Sequence, residues 1–458
     1  MDIISTNQRI SPSVLIGLSL GYFMVLLDTT IVVVALPNIE SDLGGGLSAL
    51  QWVVNGYTLT FAAFLLTGGW LSDRFGARKV FLWGLATFGL LSAVTAVAQS
   101  IVALVALRLL LGVAGALLLP SSLAVITHLY TDPALRARAL GNWAAVTGFA
   151  LVCGPVLGGV LVQTVGWRGI FVVNLPLAAI SLGITWRRTT EVSLKPRRRL
   201  DLAGQVLAIV ALGAIIFAMI EGPDLGWSAP ETIIAIALAV LALLLFILFE
   251  RRRGDNAMLP LRIFRNRQLS ASMGAGLLAN FGLSGLLFVL SLFFQEGRHY
   301  SALVTGLMFL PLTLPTAFNP IYAGKLVARI GPRAPATLGM CLMAVGALAQ
   351  APFTGSATAD QIATAAGLLI FGFGVSFTLP SLVAATAQAV PLELAGIGAG
   401  ALNSMRQIGA SLGVALLGLT LTASTTVEQG TMLALTISGG IFIAGAFLVR
   451  ANLQTKKG

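Results

Sequence analysis

The sequence has few charged residues for its length. Only 10% of its 458 residues are Asp, Glu, Lys or Arg, whereas 57% are hydrophobic and the mean hydropathy is +0.92. A soluble globular domain could not cover so much apolar surface with so few charges, so lipid must be the solvent for most of the chain. This composition excludes a soluble globular protein.

Cysteine and histidine are scarce as well, with two residues of each. Cys153 and Cys341 lie inside apolar segments, and we interpret them as small packing residues, not as a disulfide or a metal site. A membrane enzyme would need clustered His, Cys or acidic side chains, and an ATP-driven pump would need a phosphate-binding loop and a cytosolic domain. The sequence shows none of these features, so it predicts no enzyme, no cofactor, no metal and no ATP.

Long apolar segments are what the sequence has in abundance. A window of about 19 residues finds fourteen of them, each able to cross a hydrocarbon core of about 30 Å as a helix. The first is too long for the core of a signal peptide and is followed by no small-residue cleavage site, so we interpret it as a retained helix. The predicted spans, numbered 1 to 14, lie near residues 13–36, 51–72, 80–98, 101–127, 137–163, 169–186, 201–220, 231–249, 268–293, 301–325, 333–352, 361–386, 392–421 and 430–449.

The charges of the connecting segments predict the orientation. Of the 28 Lys and Arg residues, two lie inside spans (Arg108 and Arg406) and two in the loops of one side (Arg168 and Arg298). All the others lie in the termini and in the loops of the opposite side. Because Lys and Arg accumulate on the cytoplasmic side, we predict a multi-pass protein of the cell membrane with both termini in the cytoplasm. The net charge of +11 then reflects topology and attraction to anionic lipid headgroups, not binding to nucleic acid.

A weak internal repeat indicates a duplication. The segment 69–78 after span 2 aligns without gaps with the segment 324–333 after span 10, and the two agree at Gly, Leu, Arg, Gly and Arg. Asn142 of span 5 aligns in the same way with Asn403 of span 13. Both matches are shifted by eight spans. Duplicated bundles with a site between them are typical of secondary transporters.

The repeat predicts an all-α membrane architecture in three parts. A six-helix bundle occupies residues 1–190, and a second six-helix bundle occupies residues 267–458. Two inserted helices with their cytoplasmic linkers lie between them, at residues 191–266.

Charged side chains inside spans are costly in lipid and therefore indicate function. Asp28 of span 1 lies roughly 22 Å from the cytoplasmic edge, and Arg108 of span 4 lies roughly 10 Å from the outer edge, so the two share a depth. A carboxyl group that can let go of an arginine can bind and release a proton, so we predict that Asp28 and Arg108 couple transport to protons. The alternative is a permanent structural ion pair. Arg406 of span 13 fits a structural and a functional role equally well.

The segment that follows span 2 predicts a gate. Gly69 and Gly76 allow a tight turn beneath two helix ends, while Asp73 can pair with a basic residue or a helix N-terminus. Arg74 and Arg78 can pair with acids or lipid phosphates. Such a loop could latch the cytoplasmic side and release it.

Span 5 predicts a hinge between the two bundles. Pro155 removes a backbone hydrogen bond and bends a helix, whereas Gly154, Gly158 and Gly159 allow neighbouring helices to approach closely. Close packing and hinge motion are both expected here.

Further polar and aromatic residues inside the spans could line a ligand cavity. Each of them could instead form a hydrogen bond between helices. These residues are Asn55, Tyr57, Asn142, Trp143, Asn280, Asn319, Arg406 and Gln407.

These segments together resemble the signatures of a known family. Residues 69–79 resemble the loop signature between helices 2 and 3 of the major facilitator superfamily, residues 108–116 its helix 4 motif with the proton-transfer arginine, and residues 150–159 its antiporter motif. Residues 27–37 and 166–176 resemble signatures of its fourteen-spanner drug:proton antiporter branch. Within that branch the chain looks similar to the methylenomycin-resistance type.

The resemblance implies a proton-coupled exporter of small amphipathic drugs or toxic metabolites. Asp28 would be the protonation site, Arg108 its partner and residues 69–78 the gate. The implied partners are a small-molecule substrate, protons and membrane lipid, and the implied state is a monomer. The alternative is a dedicated metabolite exporter or importer of the same fold with no role in drug resistance.

The sequence departs from the family pattern at three positions. Val33, Leu111 and Ala150 stand where the family usually has Asn, Gln and Gly. The branch's pumps for dicationic drugs resemble one another in having further acids in later spans, and spans 10 to 13 contain none. We therefore expect a neutral, monocationic or anionic substrate.

Overall fold

The computed structural model describes residues 12–130, 132–191, 201–254, 261–390 and 395–454, and the described chain is built from helices and turns. Most helices begin and end within a few residues of the predicted spans. They are α1 (Pro12–Leu43), α2 (Gly46–Phe75), α3 (Ala77–Thr95), α4 (Ile101–Leu129), α5 (Pro133–Val165), α6 (Gly169–Val172), α7 (Asn174–Arg188), α8 (Leu202–Leu225), α9 (Pro230–Arg253), α10 (Arg267–Leu292), α11 (Ala302–Met308), α12 (Leu310–Ile330), α13 (Arg333–Gln350), α14 (Thr358–Ala389), α15 (Ala395–Thr422) and α16 (Val427–Asn452).

The structure supports most but not all of the predicted spans. Among the described residues, twelve helices are long and apolar enough to cross a membrane, with α6 and α7 together forming one of them. The pair α11 and α12, bent by 42°, forms a thirteenth candidate. The remaining predicted span corresponds to α13, which has 18 residues and begins at Arg333. The count of fourteen therefore stays a prediction.

The helices pack as two similar groups. In the first group α1 packs on α5 and α7, α4 packs on α2 and α3, and α3 packs on α7. In the second group α10 packs on α15 and α16, α14 packs on α12 and α13, and α13 packs on α16. Each contact in the second group repeats one in the first at a shift of eight spans, as the internal repeat predicts.

Contacts between the groups follow the same symmetry. Helix α2 packs on α15, and α5 packs on α11 and α12. The inserted helix α8 packs against α9 and also against α2 and α15, so it lies along one seam between the groups. Helix α9 exposes a row of large aliphatic side chains, as expected for a surface in contact with lipid. They include Ile233, Ile234, Leu241, Leu244 and Leu248.

The connections between the helices define an acidic end and a basic end of the molecule. The acidic end carries the connections from α1 to α2, from α5 to α6, from α10 to α11 and from α13 to α14. The basic end carries the connections from α2 to α3, from α4 to α5 and from α12 to α13. Most of the basic run 187–199, part of the linker 250–267 and both chain termini lie outside the described residues.

Candidate functional site

The two charges predicted to share a depth do meet. Arg108 Nη1 donates a hydrogen bond to Asp28 Oδ2, and the two side chains form an ion pair. Both side chains are fully buried. Helix α1 carries the carboxylate and helix α4 the guanidinium, and the two helices are in contact. The pair therefore lies wholly inside the first group of helices.

Arg108 has two further partners, both on α2. Its Nε donates to the Val53 carbonyl oxygen at 2.9 Å, and its guanidinium carbon lies 4.4 Å from the centre of the Tyr57 ring. Tyr57 is fixed in turn, because its hydroxyl donates to the Val25 carbonyl at 3.2 Å. A carbonyl and an aromatic face both favour a cation. The guanidinium is thus held in place by groups other than the carboxylate.

The second carboxylate oxygen of Asp28 is occupied by Asn174, to which the sequence assigned no role. Asn174 Nδ2 donates to Asp28 Oδ1 at 3.1 Å and to Ser92 Oγ at 3.0 Å. The Ser92 hydroxyl donates to the Phe171 carbonyl at 3.0 Å, which fixes this chain of groups to α6. The sequence contains one indication that Asn174 matters, its place in the family-like segment 166–176. The contact itself could not be predicted, because Asn174 and Asp28 lie 146 residues apart in the chain.

This environment determines what the carboxyl group can do. Both carboxylate oxygens of Asp28 accept hydrogen bonds, one from an arginine and one from an amide. Asp28 is shielded from solvent, so proton exchange requires the surrounding helices to move or water to enter.

The segment predicted as a gating loop is mostly helical. Gly69, Asp73 and Arg74 continue α2, which ends at Phe75, and only Gly76 leaves the helix, with a φ of 98°. Arg78 lies in the first turn of α3. The predicted tight turn is made by Gly76 alone, and the prediction that Gly69 takes part in it is wrong, because Gly69 continues α2.

Arg78 also has partners other than the predicted acids or lipids. Its Nε donates to Thr189 Oγ1 at 3.2 Å, and its Nη2 donates to the Trp186 carbonyl at 2.7 Å. Both acceptors belong to the end of α7. The contact ties α3 to α7 within the first group of helices.

The predicted hinge motif of α5 lies where α5 meets helices of both groups. A Cβ atom at Gly154 would overlap the hydroxyl of Thr30 on α1, and one at Gly158 would lie 2.9 Å from the Ile31 carbonyl oxygen. Gly159 instead faces the backbone of Ala302 and Leu303 on α11, and the carbonyl of Pro155 faces Gly306 there. Helix α5 stays continuous through Pro155.

Two of the predicted cavity residues are enclosed. Tyr57 lies beneath Arg108, and Asn55 is fully buried with both amide atoms lacking a hydrogen-bond partner. Tyr57 is therefore part of the Arg108 environment within the first group. Asn55 lies one turn from Gln51 and Thr58, which both bond to α15, so it faces the second group and its place in a cavity stays a prediction.

The other predicted cavity residues are distributed over both groups. Trp143 stacks on Tyr22 of α1, with ring centres 4.5 Å apart, and Asn142 is exposed. Arg406 bonds to Asn280 and Asn403, with both donor–acceptor distances 3.3 Å. Two predicted residues lie outside these contacts: Asn319 donates to Ser376 Oγ at 2.7 Å, and Gln407 is partly buried.

Hydrogen bonds join the two groups at the acidic end. Gln51 of α2 donates to the carbonyls of Val414 and Ala415 on α15, at 3.0 and 3.1 Å. Ser291 and Gln295 donate to the carbonyls of Val33 and Val34 on α1, at 2.8 and 3.1 Å. Each of these bonds satisfies a donor that lipid could not satisfy. They hold this end closed.

The described residues contain no group of three or more His, Cys, Asp or Glu side chains able to hold a metal ion. Beneath the closed acidic end lies an apolar cavity of about 10 Å³, which has room for roughly one water molecule. Thr30, Pro155 and Thr313 are among the residues that line it. Passage of a substrate would require this region to open.

Comparison with known proteins agrees with this geometry. The family model described as Major Facilitator Superfamily matches residues 18–208 and 193–414. The chain is 37% identical over 416 residues to the multidrug resistance protein Stp of Mycobacterium tuberculosis, covering 90% of this chain and 77% of that protein. It is 37% identical over 446 residues to the methylenomycin A resistance protein of Bacillus subtilis, covering 97% and 95%.

A solved structure is similar in fold. The peptide transporter POT superimposes with a TM-score of 0.70 over 97% of each chain, at 15% sequence identity. At that identity the similarity concerns the fold alone. Together the matches confirm the resemblance predicted from the sequence signatures.

Proposed function

Because the chain belongs to the Major Facilitator Superfamily, we propose that it is a drug efflux transporter that exchanges a small amphipathic molecule for protons. The two groups of helices would open alternately to the two sides of the membrane, with the substrate bound between them. Members of the superfamily are carriers, and the relatives named above are resistance proteins, which favours transport over catalysis.

The buried ion pair of Asp28 and Arg108 is the observation that supports the proposed proton coupling. A carboxyl group in a membrane span is costly unless it is paired, and a pair with no path to solvent is a means of binding a proton in one conformation and releasing it in another. The contacts of Arg108 to Val53 and Tyr57 do not involve the carboxyl group and so do not depend on its charge. The arginine can therefore remain in place while Asp28 changes its protonation state.

The remaining predicted roles extend this proposal. The Gly69–Arg78 segment would act as the gate of the basic end, and the Gly154–Gly159 motif as the contact on which the two groups rock. The described protein is a multi-pass membrane protein by its helices and its family. We place it as a monomer in the cell membrane, with both termini in the cytoplasm and with bundle boundaries at residues 190 and 267.

The test is a resistance assay in a bacterial host that lacks its own efflux pumps. Cells that express the wild type, Asp28→Asn or Asp42→Asn at equal levels are exposed to a chemically diverse panel of toxins. Asp42 is a matched control, because it lies on the same helix and pairs with Arg168 at 2.6 Å, but it is exposed. We expect resistance from the wild type and Asp42→Asn, and none from Asp28→Asn.

Proton coupling is then tested on purified protein in weakly buffered detergent solution. Addition of a toxin found in the panel should release protons from the wild type and from Asp42→Asn, and not from Asp28→Asn. Resistance that survives Asp28→Asn would make Asp28 structural. ATP-dependent transport in sealed vesicles without a proton gradient would overturn the proposal. Absence of resistance to every toxin would favour a dedicated metabolite transporter.

A further inference from the structure

Arg406 is a partly buried cation inside a membrane-spanning helix, without an acidic partner among the described residues. Other arginines of the described chain form ion pairs, among them Arg108, Arg168 and Arg253. The buried guanidinium of Arg298 is stabilised without an acid, because it donates to two carbonyls and a hydroxyl at 3.0 to 3.1 Å. Arg406 has only two amide oxygens, both at 3.3 Å, which is long for a bond from a cation.

The position of Arg406 is central. Four residues lie at a similar depth, each about 10 to 13 residues from the start of its helix at the basic end. They are Arg406 on α15, Asn280 on α10, Tyr22 on α1 and Trp143 on α5. At 1.5 Å per residue all four lie roughly 15 to 20 Å from that end, near the middle of the membrane. Arg406 interacts electrostatically with Tyr22, which belongs to the opposite group of helices. The four residues therefore share a depth, two of them in each group of helices.

The first group contributes an aromatic surface with an unused donor. The rings of Tyr22 and Trp143 are stacked, with an angle of 8° between their planes, and each side chain is 8% exposed. Trp143 Nε1 is buried and has no hydrogen-bond partner. A buried indole N–H normally finds an acceptor, so this donor lacks a group that another molecule could supply.

We propose that Arg406 and the Tyr22–Trp143 stack form a subsite for an amphipathic monoanion, with a carboxylate on the guanidinium and a flat apolar body against the rings. This inference rests on the proposed efflux function and names the class of substrate that would bind between the two groups of helices. It selects the anionic option among the three that the sequence left open.

Charge balance explains the preference for an anion. The charges of Arg108 and Asp28 neutralise each other, whereas that of Arg406 remains uncompensated in a region of low dielectric constant. A carboxylate removes this cost and accepts charge-assisted hydrogen bonds from the guanidinium. A cationic molecule at the same place would meet repulsion from Arg406, and a neutral one would leave the charge unpaired.

The test is equilibrium binding of two matched probes to purified protein in detergent at neutral pH. The probes are 2-naphthoate and 2-naphthamide, which share the flat ring system and differ in charge. We expect the wild type to bind naphthoate at least about tenfold more tightly than naphthamide, because only naphthoate supplies a charge-assisted bond. Arg406→Gln should bind both equally, Arg406→Lys should retain part of the preference, and Trp143→Phe should weaken naphthoate several-fold.

Arg450→Gln is the matched control, since Arg450 lies exposed near the end of α16. It should keep the wild-type preference. If Arg406→Gln does not fold, Arg406→Lys and Trp143→Phe still decide the matter. Equal affinity of the wild type for the two probes, or a naphthoate preference that survives in Arg406→Gln, would overturn the subsite. Binding in detergent needs no proton gradient, so a naphthoate preference without resistance in cells would reject efflux and leave the subsite standing.

Discussion

At the scale of single residues, the buried Arg108 and Arg298 and the partly buried Arg406 are stabilised in different ways. Arg108 has a carboxylate, a carbonyl and an aromatic face, and Arg298 has carbonyls and a hydroxyl. Arg406 has only two long bonds to amides. Because the cost of an unpaired charge in the membrane is large, these differences separate fixed structural cations from one that a ligand can complete. Burial also lowers the pKa of the Arg298 guanidinium, because it removes water from the charged group.

The close approach of α1 and α5 at Gly154 gives a prediction at the same scale. Gly154→Ala would place a methyl group against the Thr30 hydroxyl and force α1 and α5 apart. We expect a loss of about 1 to 3 kcal/mol in stability, measured as a lower midpoint of thermal unfolding in detergent. Gly183→Ala on α7 is the control, since a Cβ there meets nothing within 4 Å. Equal midpoints for the two variants would contradict the close packing of α1 and α5.

At the scale of helices, the inserted helix α8 is bound differently to α2 and to α15, one helix from each group. Against α2 it makes polar contacts: Trp52 Nε1 donates to Glu221 Oε1 at 2.7 Å, and Thr67 Oγ1 donates to Gln205 Oε1 at 2.7 Å. Against α15 it packs through Ile216 and Ile220 in an apolar cluster with Ala415. Directional bonds hold helices in register, whereas apolar faces in lipid can slide. We therefore expect α8 to move with the first group of helices.

Gln205 is the residue that tests this attachment. Its Nε2 also donates to the Ala63 carbonyl at 2.6 Å, so Gln205→Ala leaves groups on α2 without partners. We expect a loss of about 1 to 3 kcal/mol, read as a lower thermal midpoint in detergent. The neighbouring Val206→Ala, at a side chain that is 55% exposed, should change the midpoint little. A midpoint for Gln205→Ala equal to that of Val206→Ala would show that these bonds contribute nothing.

At the scale of the whole molecule, the structure is closed at the acidic end. Hydrogen bonds from Gln51, Ser291 and Gln295 join the groups there, and the glycines of α5 and α11 bring the two backbones together. Alternating access requires these contacts to break and re-form. Small residues allow such a closure because they leave no side chain between the helices.

Gly306 gives a test of this closure. In Gly306→Ala the added methyl group would overlap the Pro155 carbonyl, so the acidic end should close less completely. The measurement uses Thr313→Cys, at a side chain that is 3% exposed, in a background without Cys153 and Cys341. A membrane-impermeant maleimide added to intact cells should label this cysteine faster when Gly306→Ala is present. Gly440→Ala, where a Cβ meets nothing within 4 Å, should leave the rate unchanged. An equal rate in Gly306→Ala would contradict the closure, and labelling only from inside the cell would contradict the orientation.

The amino-acid sequence by itself determined the membrane class, the approximate helix positions, the duplicated plan and the pairing of Asp28 with Arg108. These follow from local composition, from a repeated motif and from the high cost of isolated charges in lipid. Only the tertiary structure decided the rest, because it depends on which helix faces meet. The contact of Asn174 with Asp28 and the stack of Tyr22 on Trp143 each join residues that lie far apart in the chain. The burial of Asn55 likewise depends on which helices pack against α2. In a membrane nearly every face of a helix is apolar, so hydropathy places a helix in the bilayer and leaves its partners to packing and hydrogen bonds.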